Sequence, residues 1–166
     1  MKNRGFTIIE IVIVIAILGI LLGLAAISAH DCLARCKVEG QTKELYVDLM
    51  NSRVSALQKN RAVFVTLTAH PVNQYEIHED THPSPDGDEH LQPTQDTLIM
   101  RKQTRFPLIP RMGLGQATFH FGKNGLVSLN GTIRFDSSVN PITDCIVIFS
   151  TRIHLGKWNE STSQCI

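Results

Sequence analysis

The sequence predicts an α+β fold in which one long N-terminal helix packs on an antiparallel β-sheet head. Three observations carry this. Residues 6–60 contain no proline and pass from an apolar run into an amphipathic one. From Ala62 the pattern changes to short, alternating, β-branched segments. Asn124-Gly125 and Asn130-Gly131 separate later segments, and each pair is a strong hairpin signal because both positions tolerate positive φ.

The first element begins behind a short basic leader, residues 1–5, carrying Lys2 and Arg4. Glu10 is the one charged residue between Phe6 and Ala29. Ile8 to Ala29 would span about 33 Å as a helix, enough for a hydrocarbon core of ~30 Å, so residues 6–29 are expected to form a transmembrane helix. A carboxylate just inside such a segment is costly, which marks Glu10 as a functional candidate. Lys2 and Arg4 ahead of the span place the N-terminus in the cytoplasm and the bulk of the chain on the far side. A secretory signal peptide is the alternative, with Ala25, Ala26 and Ala29 as small residues near its end. Its apolar region would be shorter, and Glu10 would be out of place in it.

Residues 30–60 continue the helix. Val38, Leu45, Leu49 and Ala56 recur at helical spacing, with Tyr46, Met50 and Leu57 beside them. Lys43, Glu44, Asp48, Arg53 and Lys59 are expected to face solvent. A helix from Phe6 to about Asn60 would be ~80 Å long. Gly40 is its expected weak point, and Gly19 and Gly23 have a spacing that permits close helix approach. Cys32 and Cys36 fall on one helical face, where an intrahelical bridge has poor geometry.

Residues 61–166 make the β-rich head. Strands are expected at 63–68, 74–78, 97–100, 117–121, 126–129, 132–135 and 145–149. The amphipathic half of the helix should pack on one sheet face.

Met-Lys-Asn-Arg-Gly-Phe-Thr-Ile-Ile-Glu, leading into an apolar run, resembles the type III signal of prepilins and pseudopilins. The resemblance implies cleavage between Gly5 and Phe6 by a prepilin peptidase and methylation of the new amine. It also implies that Glu10 of one subunit pairs with the Phe6 amine of a neighbour. Residues 49–63, Leu49-Met50-Asn51-Ser52-Arg53 through Val63, resemble the helix end and first strand of H-type minor pseudopilins of type II secretion, and equally of T-type minor pilins. The implied partners are other pilins or pseudopilins, the peptidase and an inner-membrane assembly platform. The implied location is a single pass in a bacterial inner membrane with a periplasmic head. Many pilins tie down their C-terminal region, which points to a Cys145–Cys165 disulfide. Such a bridge would close a loop of about 20 residues and contribute roughly 3 kcal/mol. The group often carries Gly-Arg-Val-Arg after a C-terminal strand; Thr151-Arg152-Ile153-His154 keeps only the first Arg.

Other motifs weigh less. His78-Glu79-Asp80-Thr81-His82 matches a zinc-protease pattern that needs a helix, yet it follows a strand-like segment and runs into Pro83. Asp80, Asp86 and Asp88 form an acidic loop with weak calcium-site character and no EF-hand spacing. Arg101, Lys102 and Arg105, with Arg152, are the residues a DNA-binding head would use. A net charge of +1 makes no global case for nucleic acid. No nucleophile–base pair or phosphate loop is recognisable, so neither an enzymatic activity nor a cofactor is expected. The expected function is that of a minor pseudopilin or pilin supporting protein secretion. The alternative is a minor pilin whose head binds DNA during natural transformation.

Overall fold

The computed structural model describes residues 7–69, 72–85, 87–112 and 117–166, with only the backbone of residues 24–29. Helix α1 runs from Ile8 to Lys59, 52 residues in all. Thr7 opens it with a capping box, and Asn60 closes it in the left-handed conformation, φ 52°. The Asn60 N–H bonds the Ala56 carbonyl, satisfying one of the acceptors a helix end leaves free.

One stripe of the C-terminal half of α1 is buried: Val38, Thr42, Leu45, Leu49, Ser52 and Ala56. Steps of four and three residues keep them on a single face. Thr42 and Ser52 fit there because their hydroxyls donate to the carbonyls of Val38 (2.9 Å) and Asp48 (2.8 Å) one turn back. Asp48 corrects the expectation of a solvent-facing acid, because it is buried. Its Oδ2 accepts from the Tyr75 hydroxyl at 2.5 Å and from Lys102 Nζ at 2.7 Å, and Lys102 also reaches Glu44 at 2.8 Å. Burial pushes the Tyr75 hydroxyl up, and its bond to Asp48 adds to that. Burial alone would lower the Lys102 ammonium, but its bonds to Asp48 and Glu44 outweigh this and raise it.

The head contains two four-stranded antiparallel sheets. In the first, β1 (Val63–Thr68), β2 (Gln74–Glu79), β3 (Thr97–Gln103) and β5 (Thr118–Phe121) lie in the order β3-β2-β1-β5. In the second, β4 (Leu108–Met112), β6 (Gly131–Phe135), β7 (Cys145–Ile148) and β8 (Ile153–Gly156) lie in the order β4-β6-β7-β8. A short ladder of β9 (Trp158–Asn159) and β10 (Gln164–Cys165) follows. Val65, Ile77 and Phe119 from the first sheet, and Ile133, Ile146 and Ile148 from the second, share one core with Val38, Leu45 and Leu49 of the helix. A disulfide joins Cys145 to Cys165, with Cα atoms 6.1 Å apart, and so ties β7 to β10.

Several strand expectations are corrected. Residues 126–129 form no strand; only Val127 makes an isolated bridge, to Phe121. Asn130-Gly131 is not a hairpin turn, since Gly131 begins β6 opposite Met112. A Cβ there would lie 2.6 Å from Met112 Cγ, so close strand packing is what selects glycine. β4 and β8 were not foreseen. β4 holds Pro110 in mid-strand, which is tolerated because β4 is a sheet edge.

The Asp48 cluster yields a stability prediction. Asp48→Ala should lower unfolding free energy by about 2 kcal/mol, because it strands a buried hydroxyl and a half-buried ammonium. Urea unfolding of the chain in mild detergent, followed by the near-ultraviolet signal of the head, measures this. A variant as stable as the parent would show the cluster to be incidental.

Candidate functional site

Among the described residues, the stretch of α1 from Ile8 to Leu22 differs from the rest of the chain in having no cover of its own. Ile8, Ile9, Ile11, Val12, Ile13, Val14, Ile15, Ile17, Leu18, Ile20, Leu21 and Leu22 are all exposed, on every side of the helix. A helix that is apolar all round requires an apolar environment, whether lipid or other helices. Among the described residues no helix is long and apolar enough to cross a membrane. Ile8–Gly23 covers about 24 Å, short of ~30 Å. The expected span over residues 6–29 depends on Phe6 and the side chains of 24–29, which lie outside the described residues.

Glu10 stands at the start of this surface. Its Oε2 accepts from the Thr7 N–H at 3.2 Å and from the Thr7 hydroxyl at 3.3 Å, while Thr7 Oγ1 accepts from the Glu10 N–H at 3.4 Å. The reciprocal pair satisfies the Thr7 N–H, supplements the 3.1 Å bond of the Glu10 N–H to the Thr7 carbonyl, and sets an acid at the positive end of the helix. Thr7 is a residue the sequence reading missed, although Thr-x-x-Glu before an apolar run is itself a capping signal. Gly5 and Phe6, the expected processing residues, lie outside the described residues, as does the basic leader.

Residues 1–26 match the family model described as the prokaryotic N-terminal methylation motif. That motif is typical of type IV pilins and pseudopilins, and the match takes in Gly5, Phe6 and Glu10. Searches of curated proteins and of solved structures found no match. The methylation motif thus opens directly into the uncovered apolar surface of α1.

The head residues singled out from sequence are not brought together. Arg101 sits on β3 with its Nε 2.7 Å from Glu76, and Lys102 is committed to Asp48 and Glu44. Arg105 follows β3 and is exposed, whereas Arg152 lies in the β7–β8 turn of the other sheet, over the Phe149 ring. His78 and Glu79 end strand β2, so the His-Glu-x-x-His match lacks its helix. Glu79 instead accepts from Lys59 and Arg61, locking the end of α1 to β2. Burial alone would raise the Glu79 carboxyl, but the bonds from Lys59 and Arg61 outweigh it and hold it below the usual range. Cys32 and Cys36 are free and exposed, and the neighbouring Cys32 raises the Cys36 thiol.

Of the acidic loop, Asp86 lies outside the described residues. Asp80 is fully buried: Oδ2 accepts the Glu89 N–H at 2.7 Å, and Oδ1 has no partner. Asp88 accepts from the His90 N–H and Gln92 Nε2. Asp96, which the sequence reading passed over, accepts the N–H groups of Thr81, His82 and Gln92. Among the described residues no three His, Cys, Asp or Glu side chains converge as metal ligands. The carboxylates hold the loop by backbone bonds. Gly87 packs directly on the Asp80 carboxylate, where a Cβ would lie 2.1 Å from Cγ.

Burial raises the Asp80 carboxyl, and the charges of Asp96 and Asp88 raise it further against the pull of the Glu89 N–H. A raised folded-state value means stability is fully present below the unfolded value, about pH 3.9, and is lost as pH rises through the folded one. Asp80→Asn should therefore be more stable than the parent at pH 7, with the gap closing toward pH 4. Thermal melts across that range measure it, and a parent that stays the more stable at pH 7 would contradict the assignment.

Proposed function

We propose that this chain is a minor pseudopilin or minor pilin, a structural subunit of a short filament that supports protein secretion. A prepilin peptidase removes residues 1–5, and the amine of Phe6 is methylated. The subunit waits in the inner membrane as a single pass with its head in the periplasm, and the assembly platform then feeds it into the filament. The observation that carries this reading is the methylation motif running straight into a helix whose first half is uncovered and whose second half alone is packed by the head.

In this reading neighbouring subunits cover Ile8 to Leu22. Glu10 then exchanges its Thr7 contacts for the positively charged Phe6 amine of the next subunit. Each charge alone in an apolar filament core is costly, and their pairing offsets much of that cost and fixes axial register. A Cys145–Cys165 bridge suits the oxidising periplasm.

Mass spectrometry of the chain from its native host should find N-methylated Phe6 as the first residue, and Gly5→Val should leave the leader attached. Glu10→Ala should be processed normally but recovered at least tenfold less in sheared filament fractions. An intact leader on the mature protein, or full incorporation of Glu10→Ala, would contradict the proposal.

A further inference from the structure

The outer face of the second sheet carries a cluster of cationic and aromatic side chains that the core does not use. Strand register sets Arg111, Thr132, Val147 and His154 in one row across β4, β6, β7 and β8. Alternation turns this row away from Ile133, Ile146 and Ile148, which belong to the core. Trp158 lies against the row, with Arg111 Cζ 4.7 Å and Arg134 Cζ 5.0 Å from its ring centre. Phe149 stacks on His154 at 6.0 Å and carries Arg152 Cζ at 5.3 Å. Between them lies an open cavity of about 300 Å³, lined by Arg111, Thr132, Val147, Phe149, Trp158 and Gln164.

The wall of this cavity is built rather than loose. The backbone N–H of Trp158 donates to Asp144 at 2.6 Å, Lys157 and Ile166 exchange backbone bonds at 2.7 and 2.9 Å, and the Cys145–Cys165 bridge anchors β10. Its unused groups are donors. Arg111 on its lining, and Arg152 over the Phe149 ring at its edge, have no carboxylate within 4.0 Å among the described residues, and Trp158 Nε1 in its wall is buried without an acceptor. Indole and guanidinium donate only, so what the site lacks is an acceptor with negative charge. Arginines resting on aromatic faces are held in place before a partner arrives, which reduces the ordering cost of binding.

We propose that this face docks a carboxylate-bearing polypeptide segment, with one Asp or Glu side chain seated against Arg111 and Trp158. A carboxylate matches the planar guanidinium fork. Arg134 shows the preference already, because its Nη2 is bonded to the carboxylates of Asp136 and Glu160 beside the same Trp158 ring. Those two acids also argue against a nucleic-acid strand. A phosphate at every step would be repelled by Asp136 and Glu160, while a single carboxylate fits beside them.

The chain has one tryptophan, so selectively excited tryptophan emission reports on this site alone. The probe is a capped six-residue Gly peptide with a single central Glu, added to the full chain in neutral detergent. A Gln-for-Glu peptide and a thymidine oligonucleotide of equal length serve as comparisons. The Glu peptide should change Trp158 emission saturably, with binding that weakens as salt rises, and the Gln peptide should not. Arg111→Gln should weaken binding tenfold or more, the exposed Arg152→Gln should weaken it less, and Lys123→Gln should leave it unchanged. Both arginines are exposed, and an unaltered melting curve confirms that each variant is folded. No saturable change, equal binding of the Gln peptide, tighter binding of the oligonucleotide, or an Arg111→Gln variant that binds like the parent would each overturn the proposal.

Discussion

The stripe of Val38, Leu45, Leu49 and Ala56 against the two sheets is the contact on which the rest of the structure depends. Each residue is fully buried, and fully burying side chains such as Val and Leu contributes about 1.5–3 kcal/mol apiece. The stripe joins sheets that do not share an edge, since the core residues of both meet the same helix. Asp48 adds direction, because its bonds to Tyr75 and Lys102 fix the rotation of α1 over β2 and β3. Glu79, held by Lys59 and Arg61, fixes the end of the helix. Packing and polar contacts thus agree on one placement.

The same helix extends beyond that contact to a stretch, Ile8 to Leu22, that nothing covers among the described residues. A 52-residue helix held by a head only along its C-terminal half presents an apolar rod from Ile8 to Leu22. Its stability is therefore incomplete in the isolated chain and requires an apolar partner phase. The capping box of Thr7 and Glu10 fits this condition. It keeps the carboxylate bonded while exposed, and it uses contacts weak enough, at 3.2 to 3.4 Å, to be given up for a full opposite charge. Methylation motif, cap and uncovered surface lie side by side at one end of the chain.

How much was legible in the sequence varied with the range of the interaction. The α+β class, the helix with its end near Asn60 and the buried positions 38, 45, 49 and 56 followed from periodicity, which depends on local geometry. Asp48 did not, because its burial is decided by Tyr75 and Lys102, 27 and 54 residues away. Gly131 misled for a similar reason: Asn-Gly signals a turn locally, while close packing on Met112 selects glycine here. β4 hid behind Pro110, tolerated because it lies at an edge that only tertiary structure defines. At the site, Glu10 stood out as a lone charge in an apolar run, whereas Thr7 carries only a short capping pattern. The Arg111, Trp158 and Phe149 cluster was invisible, since strands distant in sequence assemble it.

The central claim is that the N-terminal half of α1 is enclosed on all sides in the working protein. Cysteine scanning tests it most directly, on a background lacking Cys32 and Cys36. Single cysteines from Val12 to Leu22, and from Val47 to Leu57, are probed in intact membranes and filaments with a membrane-impermeant maleimide. The account predicts protection at every position from Val12 to Leu22. It predicts labelling at Val47, Val54 and Leu57, which are exposed, and protection at Leu49 and Ala56. Labelling every third or fourth residue between Val12 and Leu22 would show one wet face there and contradict the account.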